Sequence, residues 1–116
     1  MDPFVHRLVQ RLLDPGQPLS RNRHFHTFAT PEGRRALVVS RRIRALQKAV
    51  LDCAARGGTL VVRPHPGRGE VELEITQAGV RSRRVATLER LEFELLARLP
   101  GVAEQLDAAS LQVVRR

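Results

Sequence analysis

Eight basic side chains and one acidic side chain lie between residues 20 and 48, and no other stretch of the sequence is so unbalanced in charge. The basic residues are Arg21, Arg23, Arg34, Arg35, Arg41, Arg42, Arg44 and Lys48. Guanidinium and ammonium groups bind phosphate and carboxylate oxygens through both charge and hydrogen bonds. We therefore expect this segment to form a surface that binds an anionic partner.

The charge imbalance belongs to one half of the chain. Residues 1–69 hold 13 basic and 4 acidic side chains, a net charge of +9, whereas residues 70–116 hold 7 basic and 8 acidic side chains, a net charge of −1. Arginine outnumbers lysine 19 to 1, which a biased codon pool can produce by itself. Because an exchange of lysine for arginine leaves the charge unchanged, that bias does not explain the net charge of +8.

The arrangement of these cations depends on the secondary structure of residues 30–56, for which the sequence allows two interpretations. In the favoured one a single helix begins near Pro31 with Thr30 as its cap and ends at Gly57-Gly58. Its buried stripe has spacings of three and four: Ala36, Val39, Ile43, Leu46, Val50 and Cys53. In the alternative, residues 31–33 form a turn, residues 36–39 form a strand, and Ser40 caps a shorter helix.

On the single helix the cations form rows opposite the apolar stripe. Arg34, Arg41 and Lys48 follow one another at seven-residue spacing, with a parallel row of Arg35 and Arg42 and with Arg44 between the rows. Two turns of helix rise about 10.5 Å, so such rows can follow successive phosphates. A merely solvated face usually mixes signs through pairs four residues apart. Only Asp52, near Lys48 and Arg56, provides such pairs here.

The remaining pattern predicts an α+β domain in which a three-stranded antiparallel meander packs against amphipathic helices. We expect a first helix from Asp2-Pro3 to residue 14, with Val5, Leu8, Val9 and Leu12 buried, a connector over residues 15–23 and a weak strand over 24–28. The three strands of the meander are predicted at residues 60–63, 70–75 and 80–85. A helix capped by Thr87 is expected to follow them and to bury Leu88, Leu91, Leu95 and Leu99. A final helix over 102–109 and a strand or tail over 111–114 complete a single domain, with the core at 24–99 and the C-terminal part at 100–116.

The hairpin after the basic helix offers a second group of contacts. A helix followed by a hairpin is the element order of a winged helix, in which the hairpin touches the backbone that flanks the recognition helix. Arg63, His65 and Arg68 would then make those contacts. Two features count against a winged helix: no clean pair of short helices precedes the hairpin, and the third strand is extra.

Other polar clusters have a structural explanation. Glu70, Glu72 and Glu74 share one strand face, and Arg81 and Arg83 on the next strand are expected to pair with them. His24 and His26 lack an evident third ligand, so neither a metal nor a cofactor is expected. Cys53 continues an apolar helical stripe and is expected to be a core thiol. No nucleophile, metalloprotease or phosphate-loop motif occurs, so we do not expect an enzyme.

These features favour a nucleic-acid-binding protein, such as a regulator, with DNA slightly favoured over RNA. The preference for DNA follows from the scarcity of aromatic residues, which are four phenylalanines without Tyr or Trp. The alternative is an adaptor whose basic face docks an acidic protein. The first helix and residues 102–114 offer a surface for such a partner or for a homodimer. With one cysteine, no signal peptide and no apolar span of about 20 residues, a cytoplasmic protein without membrane association is expected.

Overall fold

The computed structural model describes residues 1–14, 16, 25–77 and 83–113. Within these residues it contains five α-helices and a sheet built on an antiparallel three-stranded meander, which confirms the predicted α+β class. The chain divides into two compact units, Met1–Ala45 and Leu46–Arg116. The boundary falls inside the third helix, and each unit is described by itself below.

The first unit begins with helix α1, Pro3–Leu13. Asp2 caps it, because its Oδ1 accepts hydrogen bonds from the backbone N–H groups of Phe4 and Val5 at 2.7 and 3.2 Å. Pro3 occupies the first helical position, where a missing N–H costs nothing. The buried stripe of α1 consists of Val5, Leu8, Val9 and Leu13. The predicted fourth member, Leu12, is only half-buried.

The weak strand predicted at 24–28 is wrong for the residues described. Phe25–Phe28 form a short helix, α2, while His24 lies outside the described residues. The carbonyl of Thr27 accepts hydrogen bonds from the backbone N–H of Thr30 at 3.3 Å and from its hydroxyl at 2.6 Å. This local turn satisfies the backbone where a strand would have needed a partner strand.

The single-helix interpretation of the basic segment is confirmed, and the turn–strand–helix alternative is wrong. Helix α3 spans Pro31–Ala55 without a break. The Thr30 hydroxyl accepts a hydrogen bond from the N–H of Gly33 at 3.1 Å and so caps the helix. Val38 and Val39 are both helical, but Val39, predicted in the buried stripe, is only half-buried, and Ser40 is buried instead. The helix ends before Gly57, whose φ of 68° lies in the left-handed region that glycine adopts freely.

The second unit contains the predicted meander. Strand β1 is Thr59–His65, β2 is Glu70–Thr76 and β3 is Arg83–Glu89. Both pairs are antiparallel, with Val62 opposite Leu73 and Leu73 opposite Ala86. The strict alternation in β2 buries Val71, Leu73 and Ile75, as predicted. A two-residue strand β4, Ser110–Leu111, adds to β1 in parallel, so the sheet order is β3-β2-β1-β4.

The end of the meander lies later than the sequence pattern predicted. The strand predicted at 80–85 is β3 at 83–89, and residues 80–82 lie outside the described part of the chain. Thr87 is therefore a strand residue and not the cap of the following helix. That helix, α4, spans Arg90–Ala97 and is capped by Glu89, whose side chain and that of Glu92 form a reciprocal capping box. The prediction failed because Leu88, Leu91 and Leu95 have helical spacing although Leu88 belongs to the strand.

Two short helices contact the sheet. Helix α4 contacts β2 and β3, and α5, Val102–Ala108, contacts β1. Leu88, Leu95 and Leu99 are buried as predicted, whereas Leu91 is 36% exposed. None of the helices in the described part of the chain combines the length and the apolar character that crossing a bilayer requires.

Candidate functional site

The arginines of α3 that lie in the first unit are arranged about the side opposite its buried residues. Gly33, Ala36, Ser40 and Ile43 are the buried positions of this part of the helix. Successive residues turn by about 100°, so the exposed arginines lie within about 60° of the opposite direction. They are Arg34, Arg35, Arg41 and Arg42. We call these four residues the basic face.

Three arginines of the basic face carry positive charge that the described residues do not neutralise. Among the ion pairs of the described residues, none joins Arg34, Arg35 or Arg41 to a carboxylate. Glu32, the acid nearest in sequence, is exposed and makes no ion pair with them there. The first unit as a whole holds nine basic and three acidic side chains, a net charge of +6. An anion approaching this face therefore meets three arginines that have no carboxylate partner among the described residues.

Arg44 differs from the basic face, although the sequence grouped it there. Its guanidinium donates a hydrogen bond to the main-chain carbonyl oxygen of Leu12 at 3.0 Å. That carbonyl belongs to the last turn of α1, where helical carbonyls lack an intrahelical partner. The side chain remains exposed. Arg44 thus links two helices of the first unit and flanks the basic face rather than lying within it.

Lys48, the last predicted member of the longer row, belongs to the second unit. It is exposed on α3, three residues beyond the boundary between the units. Among the described residues no ion pair joins it to Asp52, the acid that the sequence placed beside it.

The residues that the sequence predicted as flanking contacts differ from one another in whether they have partners. Arg21 and Arg23 lie outside the described residues. Arg63 forms ion pairs with Glu72, at 3.8 Å, and with Glu74, and the Nε2 of His65 lies 3.3 Å from Glu72 Oε2. Arg68 is exposed in the single-turn 3-10 helix Pro66–Arg68 between β1 and β2. Arg63 and His65 therefore have carboxylate partners within the sheet, which reduces the net charge that they offer to an anion.

The carboxylates of β2 form the structural ladder that the alternation indicated. Arg83 donates a hydrogen bond to Glu74 at 3.1 Å from a diagonal position on β3, as predicted, while Arg81 lies outside the described residues. The stronger partner, Arg63 on β1, was not predicted, although the hairpin register places it directly opposite Glu72. The hydrogen bond from Arg63, together with the charges of Arg63 and Arg83, lowers the pKa of Glu74 below its ordinary value.

Within the described part of the chain, the residues considered for metal binding and nucleophilic chemistry form no second site. His26 is exposed, and among the described residues no three His, Cys, Asp or Glu side chains are placed to hold a metal ion. Cys53 is 2% exposed and borders a groove of about 310 Å³ in the second unit, next to Gly58 and Leu60. Burial raises the pKa of its thiol, which disfavours the thiolate that a nucleophile requires. Its environment is that of the predicted core thiol.

Comparison with known proteins identifies no family for this chain. No family model matches the sequence, and neither the curated proteins nor the solved structures contain a match to it.

Proposed function

We propose that this protein is a non-enzymatic nucleic-acid-binding protein that holds a phosphate backbone, preferentially that of duplex DNA, with the basic face of α3. One observation carries the proposal: Arg34, Arg35 and Arg41 are exposed on one side of a continuous helix and have no carboxylate partner among the described residues. Arginines held in this way neutralise phosphates and release condensed counterions, which supplies affinity for any sequence.

The dimensions of the helix favour duplex DNA. An α-helix with its side chains is about 10–12 Å wide and fits the major groove of B-DNA, which is about 12 Å wide. The major groove of A-form RNA is too narrow for this contact, and proteins that read unstacked RNA bases generally stack them on aromatic side chains. Aromatic residues are scarce here, and Phe28, which lies close to the start of α3, is only 5% exposed. DNA is therefore the preferred ligand.

Other cations add secondary contacts. Arg44 flanks the basic face within the first unit, and in the second unit Lys48 and Arg68 are exposed charges. Arg21 and Arg23 supply further charge immediately before the helices. Arg63 and His65 contribute least, because Glu72 and Glu74 already hold them.

The proposal is tested by fluorescence anisotropy with a labelled duplex at about 50 mM and at about 200 mM salt. Neutralisation of three phosphates gives a slope of about −2.7 in log affinity against log salt, which is about a 40-fold loss over this range. No binding to duplex DNA or RNA at the lower salt would refute the proposal. Co-purification with an acidic protein after nuclease treatment, in the absence of any such binding, would replace it with the adaptor alternative.

A further inference from the structure

Val38 is the most exposed large apolar residue that the structure describes, at 65%. It lies at the centre of the basic face, about 180° around α3 from the mean direction of the buried side chains. Residues three and four positions away are its neighbours on a helix surface. At all four of these positions the sequence has arginine: Arg34, Arg35, Arg41 and Arg42. The isopropyl group of Val38 therefore has an arginine at each neighbouring position on the exposed side of the helix.

The fold does not account for a valine at this position. A β-branched side chain loses rotamer freedom in a helix, and an exposed position gains no burial in return. Alanine or arginine would favour the helix more, and arginine would also extend the charge. A ligand whose phosphates are held by the arginines could bury the isopropyl group of Val38. That burial would supply the favourable free energy that the exposed valine lacks in the folded protein alone.

We propose that Val38 contacts the 5-methyl group of thymine in the major groove and so gives the basic face a preference for thymine; this inference rests on the proposed function. Phosphate contacts position a helix but carry no sequence information, which must come from base edges. Among the groups that bases present in the major groove, the thymine methyl is the apolar one, and small apolar side chains contact it. Ala45 is also exposed and lies two turns further along nearly the same line, so the apolar centre continues along the groove.

The test is a cycle of two proteins and two duplexes. The proteins are the unaltered chain and Val38→Ala, and the duplexes are a thymine-containing site and the same site with uracil replacing every thymine. Burial of one methyl group is worth about 0.8 kcal/mol, so the unaltered chain should bind the thymine duplex about fourfold more tightly per contacted methyl. Val38→Ala, which loses both methyl groups of the valine side chain, should discriminate less between the two duplexes than the unaltered chain does. Val85→Ala, which shortens a 45% exposed valine on β3, should keep the discrimination.

Two results would overturn the inference without touching the proposed function. In one, the unaltered chain binds both duplexes equally with the expected salt dependence. In the other, Val38→Ala discriminates as strongly as the unaltered chain, which would show that the preference does not come from Val38. A failure to bind either duplex at low salt would overturn both proposals. Because Val38 is exposed and alanine favours the helix, the variant is expected to fold, and its circular dichroism checks this.

Discussion

Arg44 and Leu12 are 32 residues apart in the chain, yet the guanidinium of Arg44 donates a hydrogen bond of 3.0 Å to the carbonyl oxygen of Leu12. The acceptor lies in the last turn of α1, the negative end of that helix's dipole. This contact distinguishes Arg44 from the arginines of the basic face. Arg44 joins two helices of the first unit, whereas the arginines of the basic face are exposed to solvent. Stability and binding should therefore respond differently to substitutions that are close together in sequence.

Arg44→Ala should lower the free energy of unfolding by about 1 kcal/mol, because an orphan helical carbonyl loses a charged donor at an exposed site. Arg41→Ala removes the same charge from the same helix without breaking a hydrogen bond seen in the structure, and its effect should stay within about 0.5 kcal/mol. Urea denaturation followed by circular dichroism measures both. Equal destabilisation by the two variants would contradict the assignment of Arg44 as a structural residue.

Gly33→Ala should destabilise the first unit although alanine is the better helix former. A Cβ at this buried position would fall onto the carbonyl oxygen of Thr27 and lie 2.7 Å from the Cα of Phe28. Such overpacking against backbone typically costs about 1–3 kcal/mol, more than the gain of about 1 kcal/mol in helix propensity. Urea denaturation should show a net loss of stability. An increase in stability would show that α2 moves away from α3 without cost.

The sequence correctly predicted those elements in which the periodicity of the apolar residues agrees with the residues that cap or terminate the element. In α3, Thr30, the alternating buried positions and Gly57 point to the same helix, and in β2 the alternation is strict. The prediction failed where two periods overlap, because Leu88 completes a helical leucine spacing while its neighbour Ala86 continues a strand. The positions of the arginines on α3 follow from the helix alone. The acceptor of Arg44 depends on how two helices of the first unit meet, which no local pattern contains.

Stability should fall at acid pH partly through Glu74. Its pKa is lowered in the folded state, so its ion pairs with Arg63 and Arg83 stabilise the protein fully above the ordinary glutamate pKa. That stabilisation is lost as the pH falls from about 4.3 through the lowered value. Thermal unfolding between about pH 6 and about pH 3 should therefore show a smaller drop in Tm for Glu74→Gln than for the unaltered protein. Asp107→Asn, which alters an exposed carboxylate on α5, should leave the drop unchanged, and an equal effect of the two variants would contradict the role of Glu74.

The Cys53 thiol should react slowly with thiol reagents in the native protein. It is 2% exposed, and burial raises its pKa, so both access and the thiolate fraction are reduced. Modification at neutral pH should be at least about tenfold slower than in denaturant, because it requires local opening. The same protein in denaturant is the control. Equal rates would show that the groove beside Cys53 admits the reagent.

The most direct test of the basic face compares two triple variants that lose the same charge. One replaces Arg34, Arg35 and Arg41 with alanine, and the other replaces Arg84, Arg90 and Arg98, which are exposed in the second unit. The measured quantity is the slope of log affinity for a duplex against log salt. The first variant should lose about 2.7 from the magnitude of the slope, and the second should keep the slope of the unaltered protein. Equal slopes for the two variants would show that net charge, and not this face of α3, meets the phosphates.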